Sequence, residues 1–276
     1  MTSVLRRRTL AAAVSIFVLL VVIVQLVPFY VALTTSLKAK SDLSPQWVFP
    51  LQNLHWGNFV AAVEQAGILR AMGNSVVVTS LSTILVCVLG AFAAYPLARR
   101  RTPLNRALGA INIGLMMVPA LSLLVPLYSL LAQINALNTY WGEILVMVTN
   151  SLPLSIFLYS AFLRTVPAAV EEAAIVDGAN PLQLMRHIVM PILRPVTVTV
   201  GIITGVNVWN EYALSGYIMS SRQMQTVPPA IASFFSMQGG NLGAATAASL
   251  LSLIPVVAAF LFLQRYFVQG IVGAEQ

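Results

Sequence analysis

The chain has 276 residues, of which 58% are apolar and only 8% are charged, and its mean hydropathy is +0.86. This composition excludes an ordinary soluble domain and is typical of an integral membrane protein. The net charge is +7, but the arginines are divided among separate segments, which argues against a nucleic-acid partner. The single cysteine, Cys87, excludes an internal disulfide and a cysteine-based metal cluster. We therefore expect no cofactor and no metal.

Six stretches without charged residues alternate with shorter polar segments along the chain. A membrane-spanning helix needs roughly 20 apolar residues, so each stretch can hold one helix. The fifth stretch reaches that length only by continuing past Glu211. The sequence therefore predicts an all-α, polytopic fold in one membrane domain, residues 1–276. The predicted spans are residues 11–35, 74–98, 107–131, 143–164, 196–218 and 243–266.

The basic residues predict the orientation, because cytoplasmic loops are enriched in lysine and arginine. With the N-terminus inside, eleven basic residues lie on the cytoplasmic side and four lie outside. The inner set is Arg6, Arg7, Arg8, Arg99, Arg100, Arg101, Arg106, Arg164, Arg186, Arg194 and Arg265, and the outer set is Lys38, Lys40, Arg70 and Arg222. We expect both termini in the cytoplasm. The first span is too long for the core of a cleaved signal peptide, about 7–15 residues, so we expect a retained anchor.

Residues 36–73 form the longest segment predicted outside the membrane. Trp47, Trp56 and a mildly amphipathic run over Phe59–Ile68 indicate a helix lying at the membrane surface. Two interpretations stay open for this extracytoplasmic segment. It could contact an extracytoplasmic partner, or it could be a cap that only lies on the membrane.

The cytoplasmic segment after the fourth span carries a pattern of helix starts and stops. Pro167 can open a short helix, because an early helical position has no N–H bond to lose. Glu171 and Glu172 lie near the positive end of this helix, where carboxylates are stabilised. Asp177 and Gly178 fit its end, since glycine tolerates the left-handed conformation that closes many helices.

A second short helix is predicted directly after the first. Asn180 followed by Pro181 is a typical N-cap and first-turn pair. This helix would continue through Met185 and Ile188 until Pro191 interrupts it. The two helices together would make a compact knob on residues 165–195.

This segment resembles the coupling loop, or EAA loop, of permease subunits from bacterial ABC importers. The family pattern reads Glu-Ala-Ala, then Asp-Gly-Ala, then Phe and Ile, and closes on Leu-Pro. Met185 stands where Phe is usual and Met190 where Leu is usual, and both keep an unbranched apolar side chain. The matching positions are Glu172, Ala173, Ala174, Asp177, Gly178, Ala179, Ile188 and Pro191. The alternative interpretation is an ordinary amphipathic hairpin at the membrane surface.

Further short sequence motifs resemble those of the carbohydrate-importer branch of this family, specifically of its second permease. They are Asn74-Ser75, the run Ala93–Ala98, Leu137–Tyr140, Trp209–Tyr212 and Arg265–Gly270. The last residues, Gly273–Gln276, depart from the Gly-rich, Lys-Gly tail that is usual in that branch.

The resemblance implies the type I ABC importer permease fold in the bacterial inner membrane. It implies two ABC ATPase subunits, a second homologous permease in a heterodimer, and an extracytoplasmic solute-binding protein that delivers solute, with sugar favoured. Arg186 could instead anchor on a lipid phosphate of the membrane. The residues implied in ATPase coupling are Glu171, Glu172, Ala173, Ala174, Asp177, Gly178, Ala179, Pro181, Arg186, Ile188 and Pro191.

Polar residues in the fourth and fifth spans are candidates for lining a translocation pathway. Asn207 shares a helix face with positions 210 and 211 by the three-and-four spacing. These groups could offer hydrogen bonds to a hydroxylated solute, or they could hold helices together, with Glu211 near the outer interface. We also expect Pro153 to break the fourth span locally. The candidates are Asn150, Ser151, Asn207, Asn210 and Glu211.

An enzyme is a poor interpretation of this chain. It has neither a GxxxxGK[ST] phosphate loop nor an HExxH or GxSxG motif, and both histidines, His55 and His187, lie outside the predicted spans. ATP hydrolysis is therefore expected in a partner subunit. The alternatives are an ABC permease for another small polar solute and an ATPase-independent secondary transporter. The latter favours charges inside the helix bundle, where only Glu211 qualifies.

Overall fold

The computed structural model describes residues 2–237 and 240–272, with side chains for residue 11 and for residues 13–235 and 240–262. Every regular element in these ranges is a helix, as the sequence predicts. The α-helices are α1 (Thr2–Ser36), α2 (Gly57–Glu64), α3 (Ile68–Arg99), α4 (Pro103–Met116), α5 (Leu124–Gln133), α6 (Tyr140–Thr165), α7 (Ala169–Val176), α8 (Pro181–Leu184), α9 (Met190–Ile192), α10 (Arg194–Trp209), α11 (Ala213–Ile218), α12 (Val227–Met237) and α13 (Leu242–Val272). A 3₁₀ turn covers Ala120–Leu123 and a π turn covers Met185–Val189. The predicted tail residues 273–276 lie outside the described part of the chain.

Within the described residues, four helices are long and apolar enough to cross a membrane, and the number rises to six if each of two bent helix pairs counts as one span. The four single helices overlap the first, second, fourth and sixth predicted spans. They are Ala13–Ser36, Ile68–Arg99, Tyr140–Thr165 and Leu242–Phe262. The second begins six residues before the predicted start at residue 74.

The third predicted span, residues 107–131, is sharply bent. The axes of its two parts, Pro103–Met116 and Ala120–Gln133, differ by 93°. Pro119 lies at the break: it has no N–H for the helix ladder and disfavours the helical conformation of the residue before it. The position of Pro119 in the sequence is a signal for a bend, but the composition of the stretch does not show how large the bend is.

The backbone divides into two compact units, and the first comprises Met1–Ile68 and Ile231–Ile254. A close contact in this unit surrounds the buried side chain of Asn58, in helix α2, which covers the first part of the predicted amphipathic run. The Asn58 amide donates to the carbonyl oxygens of Ser36 at 2.9 Å and Lys38 at 2.8 Å. A Cβ atom on Gly243 would lie 2.5 Å from Asn58 Nδ2, so only glycine allows this approach.

The second unit comprises Leu69–Ala230 and Pro255–Gln276. In this unit, hydrogen bonds of the Asn74 side chain connect the first turns of α3 to the segment after α11. The Asn74 amide donates to the carbonyl oxygens of Gln223 (3.1 Å) and Gln225 (2.9 Å). Its Oδ1 accepts from the Tyr140 hydroxyl at 2.6 Å. Two of the sequence motifs that resemble the family, Asn74-Ser75 and Leu137–Tyr140, are therefore in contact, and their hydrogen bonds hold the backbone at Gln223 and Gln225.

Glu143 corrects the expectation that only Glu211 places a charge inside the bundle. Glu143 is completely buried in the first turn of α6, and its Oε1 accepts a hydrogen bond from the Ser215 hydroxyl. Its Oε2 has no hydrogen-bond partner among the described residues. Sequence reasoning placed Glu143 at a span boundary, where a carboxylate ordinarily reaches water.

The local break expected at Pro153 is absent, because α6 continues through it from Tyr140 to Thr165. A proline inside a helix removes only one backbone hydrogen bond, and neighbouring helices can hold the element together around it. Here the Asn112 side chain, on α4, donates to the Pro153 carbonyl at 3.0 Å. The prediction of a broken helix was therefore wrong.

Candidate coupling site and translocation cavity

The first short helix of the predicted coupling loop, residues 165–195, ends as its sequence predicts. Glu171 and Glu172 lie in the first turn of α7, which runs from Ala169 to Val176. Gly178 adopts a positive φ of 86°. Its N–H donates to the Ile175 carbonyl, and the next N–H donates to Ala174, both at 3.0 Å. This pair of bonds is the Schellman motif, which satisfies the open carbonyls of a helix end.

The second short helix also begins where it was predicted. Asn180 Oδ1 accepts from the N–H groups of Leu182 (3.1 Å) and Gln183 (2.9 Å), while Gln183 Oε1 accepts from the Asn180 N–H at 2.9 Å. Pro181 occupies the first turn. The reciprocal bonds form a capping box, which satisfies two open N–H groups at the start of α8. A π turn then leads into α9, which contains Pro191.

A buried ion pair holds the base of this segment. The Arg99 guanidinium contacts both carboxylate oxygens of Glu171, with nitrogen–oxygen distances of 2.6 to 3.0 Å, and also donates to the Val166 carbonyl at 3.0 Å. The Arg99 side chain is 15% exposed and that of Glu171 is 5% exposed. Glu171, one of the predicted ATPase contacts, therefore faces the interior of the chain and joins the end of α3 to α7.

The other predicted coupling residues divide between an exposed and a partly buried set. Ala174 and Ile188 pack against the buried core of the second unit, which leaves them to anchor the segment. The exposed positions are Glu172, Ala173, Asp177, Gly178, Pro181 and Arg186, and the half-buried ones are Ala174, Ala179, Ile188 and Pro191.

Apolar side chains stand out at the tip of the segment. Val176 is 86% exposed, Leu182 is 66% exposed and Ile175 is 55% exposed. We call these three residues the apolar tip. They lie on either side of the Gly178 turn, on short helices with capped ends. The hydrogen bonds of these caps therefore hold the three side chains in exposed positions. This exposure was not predicted from the sequence. The signal for it was the apolar pair Ile175-Val176, which directly precedes the predicted turn at Asp177-Gly178.

All five predicted pathway residues line a single cavity of about 370 Å³ within the second unit. Asn150 and Ser151 contribute from α6, and Asn207 from the last turns of α10. Helix α10 ends at Trp209 and the next helix begins at Ala213, so the predicted fifth span is interrupted at Asn210 and Glu211.

The polar groups at this interruption hold the backbone ends. Asn210 donates from its side chain to the Val206 carbonyl at 2.8 Å, and Glu211 Oε1 accepts from the Leu214 N–H at 2.9 Å. Glu211 is half-buried and borders the cavity as well. The carboxylate therefore accepts a backbone hydrogen bond from the first turn of α11 and lines the cavity at once. Its role in a pathway and its role in holding helices together both stay predictions.

Comparison with known proteins decides what kind of molecule carries this segment. Residues 87–273 match the family described as the inner membrane component of binding-protein-dependent transport systems. The chain belongs to this family. The match covers the buried ion pair, both short helices and the cavity.

Relatives of this permease family align over most of the chain. The melibiose/raffinose/stachyose import permease protein MelC of Bacillus subtilis (strain 168) is 41% identical over 89% of both chains. The trehalose transport system permease protein SugB of Mycobacterium tuberculosis (strain CDC 1551 / Oshkosh) is 34% identical, over 73% of this chain and 74% of its own length.

A solved structure has the same fold. It is a chain of a bacterial ABC transporter involved in the import of the acidic polysaccharide alginate, with a TM-score of 0.76. It is 16% identical in sequence, and the alignment covers 94% of this chain and 97% of that one. The family match and the relatives establish a multi-pass permease of the bacterial inner membrane, and the relatives are transport permeases.

Proposed function

We propose that the chain is the transmembrane permease subunit of an ATP-driven, binding-protein-dependent sugar importer. The family match and the import permeases for melibiose, raffinose and stachyose and for trehalose support this solute class. Another small polar solute is the alternative. The chain forms half of a translocation pathway, a second homologous permease forms the other half, and ATPase subunits supply the energy.

The observation that best supports a coupling role is the exposed apolar tip, on a segment that the Arg99–Glu171 ion pair attaches to the rest of the chain. An exposed apolar group gains free energy by entering a partner's cleft. The capping box and the Schellman turn close the two helix ends that border the tip, and the Arg99–Glu171 pair joins α7 to the end of α3. When the ATPase pair closes or opens, a displacement of the tip is therefore transmitted to a long helix.

The proposed topology has six spans in one membrane domain, with both termini and residues 165–195 in the cytoplasm. The excess of basic residues on that side supports it. The extracytoplasmic segment, residues 36–73, then faces the solute-binding protein. Membrane lipid covers the long row of exposed apolar side chains on α1, which extends from Val14 to Leu33.

Gly178→Phe tests the coupling site. A Cβ at Gly178 meets no atom of this chain within 4 Å, so a bulky side chain would project outward into the space proposed for the ATPase. We expect solute-stimulated ATP hydrolysis by the assembled importer to fall by about tenfold or more, a change typical of losing one well-packed contact. The φ of 86° also strains any L-residue.

The control for that strain is Gly178→Ala, because alanine brings the same backbone strain without a bulky side chain. It should keep most of the stimulated hydrolysis. Normal stimulated hydrolysis in Gly178→Phe would remove this glycine from the ATPase interface.

Glu211→Gln tests the cavity. Glutamine keeps an acceptor oxygen for the Leu214 N–H, so the cap survives while the negative charge at the cavity is lost. We expect the initial rate of sugar uptake to change several-fold with the amount of protein in the membrane unchanged. Thr199→Ala, on the same helix α10 but not lining the cavity, should leave uptake as it was. Unchanged uptake kinetics in Glu211→Gln would leave this residue with a capping role alone.

A further inference from the structure

A second cavity, of about 580 Å³, lies where the end of α3, the start of α4 and the last turns of α6 meet. Its polar lining is basic, and neither aspartate nor glutamate lines it. None of its arginines forms an ion pair with a described residue. The arginines that line it are Arg100, Arg101, Arg106 and Arg164.

The neutral polar groups of this cavity are already engaged within the chain. Asn112 donates to the Pro153 carbonyl, and Asn105 donates to the carbonyls of Pro96 and Arg100, each at 3.0 Å. The guanidinium groups are therefore the donors left for a ligand. They present planar forks of N–H groups, a geometry that matches the oxygens of a phosphate.

The rest of the cavity wall is apolar. Ile113 and Phe157 line it and are 52% and 44% exposed. Two of the arginines directly follow α3, and Arg164 lies in the last turn of α6, so the charged end of the cavity is at the ends of two candidate spans. A ligand that fills such a site is anionic at one end and apolar at the other.

We propose that this cavity binds an anionic phospholipid, with its phosphate between the arginines and an acyl chain along the Ile113 and Phe157 wall. Four arginines in one cavity attract a negative headgroup more strongly than the diffuse excess that only orients a protein. A free phosphate ion would satisfy the charge but leave the apolar wall in water. The proposal rests on the topology above, which puts this end of α3 in the cytoplasmic leaflet.

The test is native mass spectrometry of the full chain, purified in mild detergent with the subunits that accompany it. Phosphatidylglycerol, phosphatidylcholine or glycerol phosphate is added in separate titrations. We expect one phosphatidylglycerol molecule to stay bound, phosphatidylcholine to bind far more weakly, and glycerol phosphate neither to bind at the same concentration nor to displace the lipid. Equal binding of glycerol phosphate would overturn the lipid assignment in favour of a free-anion site.

Variants locate the binding. Arg101→Gln with Arg106→Gln should weaken retention of phosphatidylglycerol by about five-fold for each arginine removed. Arg106→Lys keeps the charge and should retain most of the binding. Arg70→Gln, an exposed arginine at the other end of α3, is the matched control and should bind as the parent chain does. Equal retention by the double variant would overturn the site.

The lipid titration does not depend on transport, so its result is separable from the proposed function. Sugar uptake and co-purification of the ATPase are measured on the same preparations. If these are lost while phosphatidylglycerol is still bound, the importer proposal fails and the lipid site stands. If they are retained while no lipid is bound, the reverse holds.

Discussion

Val176→Asp should separate the permease from its ATPase without disturbing the fold of the chain. Val176 is 86% exposed, so the substitution costs little within the chain itself. At the proposed interface it replaces an apolar anchor with a charge that must lose its water. Loss of such an anchor costs about 2 kcal/mol or more, which weakens association by roughly 30-fold. We expect the tagged variant to reach the membrane in normal amount and to co-purify with little or no ATPase.

Leu43→Asp is the matched control, since Leu43 is also apolar, is 94% exposed and lies in the segment that we propose to be extracytoplasmic. It should co-purify with the ATPase as the parent chain does. Leu182→Asp, at the same tip as Val176, should repeat the loss. The coupling assignment is contradicted if both tip variants keep a full complement of ATPase.

Breaking the Arg99–Glu171 pair should have the largest effect on stability. Removing one partner of a buried pair leaves an uncompensated charge and costs about 3–5 kcal/mol. Arg99→Ala also leaves the Val166 carbonyl without its donor. We expect Arg99→Ala and Glu171→Ala to lower the Tm of the purified chain by several degrees and to abolish solute-stimulated ATP hydrolysis, because the base of the coupling segment loosens.

Two comparisons make this prediction specific. The double variant Arg99→Met with Glu171→Met leaves no buried charge and should be more stable than either single alanine variant. Arg194→Ala removes an exposed arginine and should change Tm little. A Tm for Arg99→Ala equal to that of Arg194→Ala would show that the pair does not hold the segment.

The local architecture of the coupling segment could be predicted because its signals are local. Gly178 needed only the rule that glycine closes helices, and Asn180-Pro181 needed only the capping rule. The structure has both ends as expected. The three-residue spacing of Asn180 and Gln183 also indicates the capping box, which the predictions above did not include.

The contacts that the sequence could not supply join distant residues. Arg99 and Glu171 are 72 residues apart, as are Glu143 and Ser215. Charge at a span end ordinarily indicates water or headgroups, so neither Glu143 nor Glu171 stood out as buried. Only the folded chain shows that a carboxylate near a predicted boundary is turned inward. The size of the bend in the third stretch, 93°, could not be predicted for a similar reason, since hydropathy measures composition and not direction.

Cross-linking in native membranes would show whether the apolar tip of α7 and α8 contacts an ATPase. Cys87 is the single cysteine, so a Cys87→Ser background carries no other thiol. Val176→Cys is made in that background, treated with a short bifunctional thiol or thiol–amine reagent, and the products are identified by mass spectrometry. We predict a cross-linked product that contains an ABC ATPase subunit, and none from Leu43→Cys in the same background. Products from Val176→Cys that hold only lipid or unrelated proteins, while Leu43→Cys behaves the same, would contradict the coupling role.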